Sequence, residues 1–307
     1  MPHSSKLNIA LIGLGAIAQK AYLPILAAHA QVEPILCTRD SKTLKQLSRQ
    51  YRIEKCFSNL DDLMKTKPDA AMVHSATESH FSIVSQLLKA RIPTFVDKPL
   101  AYSLKEVEEL LELATQKQTL LYLGFNRRFA PLVKKLTAES NPVQILWQKN
   151  RINLPGDPRV FIFDDFIHVI DSLRFLGSGA VKNLQVFSKM NKGLLESIQV
   201  QWQQNDTLLN GLMNRVSGVT EERIEYFSKG NKWLLEGLDS GCYYHNGSKN
   251  LLGFDNWDST LYKRGFTAMI ADWLDVLENG KFDPNRIQDI WETHRLCEEI
   301  LSKLQMQ

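Results

Sequence analysis

Cysteine is scarce in this chain of 307 residues, and the four present, Cys37, Cys56, Cys242 and Cys297, form no C-x-x-C pair. That spacing argues against a structural zinc site, a redox motif and a disulfide scaffold. No apolar run reaches the roughly 18 residues a membrane helix needs, so no membrane partner is expected. The polar start MPHSSK leads straight into a strand pattern without a signal-peptide core, which makes a reducing cytoplasm the expected compartment. Charge of one sign is also missing. With Lys plus Arg at 37 and Asp plus Glu at 34, the net charge of +3 does not point to nucleic acid. There is no HExxH, GxSxG or GxxxxGK[S/T] motif, so a metal site, serine hydrolysis and phosphoryl transfer are not expected. Internal repeats and low-complexity segments are absent too.

What is present is the composition of a folded protein, 44% hydrophobic, 23% charged and 9% aromatic. The length suits two domains. Short apolar runs near Leu7 to Ile12, Val32 to Cys37, Ala70 to Ser75, Ile92 to Val96 and Thr119 to Leu123 alternate with helical patterns near 41 to 50, 79 to 90 and 104 to 117. Strands without polar alternation, separated by helices, predict a doubly wound parallel α/β sheet of the Rossmann type over residues 1–125. Ser103 and Glu106 have the spacing of a capping box. After a helix near 128 to 137, Val143 to Lys149, Leu184 to Met190, Ser197 to Gln203, Thr207 to Arg215 and Glu221 to Ser228 read as consecutive strands. Ile198, Val200 and Trp202 alternate with Gln199, Gln201 and Gln203, which predicts an open, mainly antiparallel sheet with one polar face. Residues 126–307 are thus an α+β domain. Two helices, Thr260 to Glu278 and Ile287 to Leu304, close the chain, and the last is expected to pack back on the first domain.

Gly13, Gly15 and Ala18 form G-x-G-x-x-A between the first strand and its helix. There Gly13 permits the turn, Gly15 lets a pyrophosphate approach, and the helix start at Ala16 and Ile17 offers free N–H groups. A dinucleotide is the expected cofactor; a bare strand-to-helix turn is the alternative. At the tip of the second strand, Thr38 and Arg39 suit a 2'-phosphate, which favours NADP over NAD. Asp40 either caps the next helix or reaches the ribose. Ser75, Thr77 and His80 follow the next long strand at the sheet edge where ligands of open α/β folds bind. Asp97, Lys98 and Pro99 end the following one, and a lysine there can hold a substrate hydroxyl and stabilise alkoxide charge. In FDDFIHVID, Asp164, His168 and Asp171 fall at i, i+4 and i+7, on one helical face. Histidine is the side chain suited to exchanging a proton near neutral pH, and Asp164 can orient it or bind a hydroxyl. The alternative is that the acids solubilise the helix while Asp171 pairs with Arg174.

GLGAIAQKAYLPIL, FVDKPLAYSLKEVEEL, GFNRRFAP and FDDFIHVID, in this order, resemble the Gfo/Idh/MocA oxidoreductases over essentially the whole chain, and most of all their MviM virulence-factor-like branch. The resemblance implies an NAD(P)-dependent dehydrogenase or reductase that moves a hydride between the nicotinamide and a secondary alcohol or carbonyl of a sugar, polyol or related small molecule. It gives Lys98 the catalytic lysine role, Asp164 and His168 the substrate and acid/base roles, and places Asn126 and Arg127 beside the cofactor cleft. It also implies a homodimer or higher homo-oligomer through the second sheet. Asp97 stands where the family usually has glutamate, Glu78 where proline is frequent, and RVFIFDDF lacks a common glycine pair. Two other readings remain: a non-catalytic NADP(H)- or sugar-binding regulator, and a lyase or glycosidase that uses a transient hydride step.

Overall fold

The computed structural model describes residues 6–139, 141–280 and 282–305. The chain divides into two compact units, Met1–Gly124 with Met269–Trp291, and Phe125–Ala268 with Glu292–Gln307. Among the described residues no helix is long and apolar enough to cross a membrane.

The first unit is built on β1 (Leu7–Ile12), β2 (Val32–Cys37), β3 (Cys56–Phe57), β4 (Ala70–Val73), β5 (Thr94–Asp97) and β6 (Leu121–Gly124). They form one parallel sheet in the order β3-β2-β1-β4-β5-β6. Ile9 to Leu11 and Ala70 to Val73 are completely buried, as strands of a parallel sheet covered on both faces should be. The helices are α1 (Leu23–Ala28), preceded by a π-helical turn Ala18–Tyr22, α2 (Ser41–Tyr51), α3 (Leu60–Lys65), α4 (His80–Lys89) and α5 (Leu104–Lys117). The expected doubly wound sheet is therefore present. The short pair β3 and α3 went unread in the sequence. Ser103 makes no side-chain bond at the start of α5, so the expected capping box does not form; its carbonyl instead accepts from Val107 N.

The second unit carries α6 (Pro131–Leu136), β7 (Gln144–Asn150), α7 (Pro158–Val160), a π-helical turn Phe161–Phe166, and α8 (Ile167–Gly177). The strands β8 (Val181–Asn191), β9 (Leu194–Gln204), β10 (Thr207–Asn214), β11 (Glu221–Ser228), β12 (Asn231–Glu236), β13 (Ser240–His245) and β14 (Ser248–Leu252) follow. Their sheet runs β14-β13-β12-β11-β7-β10-β9-β8. All neighbours are antiparallel except β7 and β10, which run parallel. Helix α8 packs on these two central strands. Ile198, Val200 and Trp202 are buried and Gln199, Gln201 and Gln203 are not, as their alternation predicts.

The chain ends with α9 (Thr260–Lys263), α10 (Phe266–Asn279) and α11 (Pro284–Gln305). The single helix expected from Thr260 to Glu278 is broken at Gly265, whose φ is +81°. A Cβ there would lie 2.3 Å from the Asn126 carbonyl oxygen and 2.5 Å from Ala130 N, so the close approach of two backbones holds the break open.

Candidate active site and cofactor loop

In the first unit the predicted residues gather at the carboxyl ends of the strands, around the β1/β4 position where the strand order reverses. Gly13 follows β1 at φ +86°, and its N–H donates to the Cys37 carbonyl at 2.9 Å. A Cβ on Gly13 would sit 2.4 Å from Ser75 N, so only glycine lets the loop lie against the end of β4. Gly15 has open space where a Cβ would be, and Gly15, Ala16 and Ile17 are exposed at the start of the first helix. This accessible helix N-terminus fits the pyrophosphate of a dinucleotide.

Beside it, Arg39 is exposed and makes no hydrogen bond among the described residues, and Thr38 is half-buried. Asp40 is committed to α2: its Oδ1 accepts from Lys42 N at 2.9 Å and Thr43 N at 3.2 Å, and its Oδ2 from the Thr43 hydroxyl at 2.6 Å. These bonds, the Thr43 hydroxyl foremost, hold its carboxyl below the usual value. Ser75 and Thr77 are half-exposed after β4. His80 is different. It is buried, with Nδ1 2.9 Å from the Pro99 carbonyl and Nε2 3.0 Å from the Ser75 carbonyl. Both ring nitrogens are taken by backbone, so His80 ties the end of β4 to the turn after β5 and has no nitrogen left for a ligand.

Asp97 and Lys98 are half-exposed at the end of β5, and the Lys98–Pro99 peptide is cis. Asp97 accepts a 2.8 Å hydrogen bond from the Tyr22 hydroxyl. Burial raises the Asp97 carboxyl above its ordinary value, against the opposing pull of the Lys98 charge and the Tyr22 bond. Tyr22 in turn stacks on His74 with ring centroids 4.0 Å apart, and burial keeps His74 neutral, its pKa pushed down to about 3. Tyr22 was not singled out in the sequence, where it reads only as an apolar position of the first helix.

In the second unit, Asp164 and His168 are the two positions between residues 161 and 173 that are not buried. The π-helical turn and α8 bury everything around this pair and present it to water. Asp171, expected on the same face, is buried instead: its carboxylate takes Arg128 Nε at 2.9 Å and the Thr293 hydroxyl at 3.0 Å. Arg174, its alternative sequence-based partner, donates to the Thr293 hydroxyl. The i+7 acid thus anchors the helix and leaves the i, i+4 pair as its accessible face.

Asn126 and Arg127 are also buried. Asn126 donates to the Arg264 carbonyl at 2.8 Å, and Arg127 clasps Glu222 through Nε at 2.6 Å and Nη2 at 2.9 Å. Burial opposes the Glu222 carboxylate, but Arg127 overrides it and holds the group at about 2. Their side chains are occupied in holding the second unit together. Beside them lies a group the sequence did not flag: Lys149, Arg151 and Arg215 all reach Asp165, next in sequence to Asp164. The alternation of β7 gives away Lys149, and Arg151 follows two residues on, just past the strand end, but nothing local brings Arg215 to them.

Residues 7–125 match the oxidoreductase family with an NAD-binding Rossmann fold, and residues 131–240 match the YceM-like C-terminal domain. YceM of Salmonella typhimurium is 31% identical over 281 residues, covering 89% of this chain and 90% of that protein. The crystal structure of a Gfo/Idh/MocA family oxidoreductase from Vibrio cholerae superimposes with a TM-score of 0.94 at 38% identity, over 98% of this chain and 99% of that one. The chain belongs to the Gfo/Idh/MocA oxidoreductase family. It is an oxidoreductase with the family's NAD-binding fold. Its likeness to the MviM branch is seen in the dehydrogenase MviM from Clostridium difficile, with a TM-score of 0.88, 30% identity, and coverage of 96% of this chain and 99% of that one.

Proposed function

We propose that the protein is a cytoplasmic, NADP-preferring dehydrogenase or reductase acting on a secondary alcohol or carbonyl of a sugar, polyol or related small molecule. The observation that carries the reading is that, between residues 161 and 173, Asp164 and His168 are the two positions that escape burial. A carboxylate and an imidazole one turn apart can bind one hydroxyl and take the proton of another. His168 holds that proton on a ring nitrogen, Asp164 accepts a hydrogen bond from the substrate, and the Lys98 ammonium donates to the oxygen where negative charge develops. Asp97 is a positioning residue, fixed by Tyr22 and set beside Lys98 in the chain. The cofactor, when bound, supplies the nicotinamide carbon that accepts or returns the hydride.

Gly13, Gly15, Ala16 and Ile17 would hold the pyrophosphate, with Ser75 and Thr77 at the neighbouring strand end. The NADP preference is supported by an uncommitted Arg39 beside a fully committed Asp40. The test is calorimetric titration with NADPH and NADH in parallel. Arg39→Ala is expected to weaken NADPH tenfold or more and NADH less than twofold. Equal losses for both would remove the ribose assignment, and failure of the unmodified protein to bind either would remove the enzyme reading. A homodimer or higher oligomer through the open sheet is supported by exposed Phe187 and Leu208 beside the glutamine-rich face of β9. A monomer mass in light scattering would refute it.

A further inference from the structure

Glu222 and Asp165 are the two acids at the centre of a buried group that also holds Arg127, Lys149, Arg151 and Arg215. Arg127 takes Glu222 in a two-pronged clasp. Asp165 therefore faces the other three cations. Arg151 donates to it through Nε at 2.8 Å and Nη2 at 2.9 Å, Arg215 Nη2 lies 3.1 Å away, and the Lys149 ammonium is in direct contact. A carboxylate has about four lone-pair sites, and these four donors use them. Donors remain. Lys149 is 2% exposed with one carboxylate for three N–H groups, and the Nε of Arg215, 6% exposed, is buried without a partner among the described residues. Leaving a buried donor unpaired is costly, and surplus buried charge is costlier still.

The surplus lies beside the reactive face, since Asp165 follows Asp164 and the charge of Asp164 acts on Arg215. Arg151, with 30% of its side chain exposed, is the member that reaches solvent. We propose that Lys149, Arg151 and Arg215 bind an oxyanion of the substrate, so that the molecule oxidised is a sugar or polyol bearing a carboxylate or phosphoryl group. This rests on the assignment of Asp164 and His168 to the substrate. Lys149 gives the site a signature. Burial and the charge of Arg127 depress its amine to about 7, against the pull of Asp165 and Glu222. An incoming anion favours the ammonium, so binding above neutral pH takes up a proton.

The experiment titrates the full-length protein, saturated with NADPH, at pH 8 in two buffers of different ionisation enthalpy. The probes are D-glucuronate, D-glucose 6-phosphate, D-glucose and myo-inositol. At least one charged probe is expected to bind tenfold tighter than either neutral one, with proton uptake that Lys149→Met abolishes. Arg151→Gln, at a partly exposed position, is expected to cut that preference at least fivefold while NADPH and the neutral probes bind as in the unmodified protein. Tighter glucuronate identifies a carboxylate, and tighter glucose 6-phosphate a phosphoryl group. Equal binding of charged and neutral probes, binding of none, or a preference indifferent to Arg151→Gln overturns the proposal. His168→Asn separates the two readings. Retained turnover in that variant with an intact anion preference removes the catalytic assignment alone, and His168-dependent turnover without anion preference removes the anion site alone.

Discussion

Replacing Glu222 by glutamine keeps the shape of the side chain and removes its charge from beneath Arg127. The carboxylate accepts two guanidinium bonds and a third from Trp147 Nε1 at 3.0 Å, and it lies opposite Lys149 across the β7–β11 ladder. Removing one partner of a buried ion pair costs about 3 to 5 kcal/mol. Proton linkage gives a second route. Lowering a glutamate from its ordinary 4.5 to about 2 contributes about 3 kcal/mol at neutral pH. Because the folded value is depressed, the contribution is full above pH 4.5 and is lost as pH falls through about 2. Glu222→Gln is therefore expected to lower stability by about 3 kcal/mol at pH 7, or roughly 6 to 12 °C in unfolding temperature. The gap from the parent protein should shrink to roughly half near pH 3. Urea unfolding of both proteins between pH 7 and 3, followed by circular dichroism, reads both numbers. A difference below about 0.5 kcal/mol at pH 7, or one that does not change with pH, would refute the reasoning.

Three further outcomes are expected. Gly13→Ala forces a β-carbon onto Ser75 N at a φ of +86°, which costs about 2 to 5 kcal/mol of strain and overpacking; unchanged NADPH affinity in titration would contradict the loop assignment. Tyr22→Phe strips Asp97 of its O–H donor at about 1 to 3 kcal/mol. The Tyr22 bond opposes the upward push of burial on the Asp97 carboxyl, so the loss should grow as pH rises, and unfolding curves across a pH series test the sign. Lys98→Ala and His168→Asn are each expected to lower kcat on a proven substrate by about a hundredfold or more with the fold intact. Full turnover in either removes that residue from the mechanism.

The first unit was legible because its signals are local. A fully apolar strand, a glycine turn and a helical repeat follow one another within about thirty residues, and each constrains the next. The second sheet was legible only through β11. Asn246 and Gly247, both with positive φ, form a tight hairpin turn between β13 and β14, the geometry that an Asn-Gly pair signals. The parallel pairing of β7 with β10 has no local signature, since it joins strands some sixty residues apart. The site shows the same division. Asp164 and His168 are visible through helical spacing, whereas the inward turn of Asp171 depends on Arg128 and Thr293, which lie 43 residues before it and 122 after it. Likewise, nothing in the spacing of His80 says that two backbone carbonyls will occupy its ring.

The first unit does not own a continuous stretch of chain. The ring of Trp273 is fully buried 5.8 Å from Phe95 and 5.6 Å from Tyr122, and Asp272 accepts the Tyr122 hydroxyl at 2.7 Å across 150 residues of sequence. During synthesis, the aromatic surface of Phe95 and Tyr122 must wait for that segment. At about 5 to 20 residues per second the wait is roughly 8 to 30 s. A ribosome-bound chain stopped after Gly124 would expose an unfinished wall to chaperones and proteases, and a gene fragment ending there would yield a protein short of its own core.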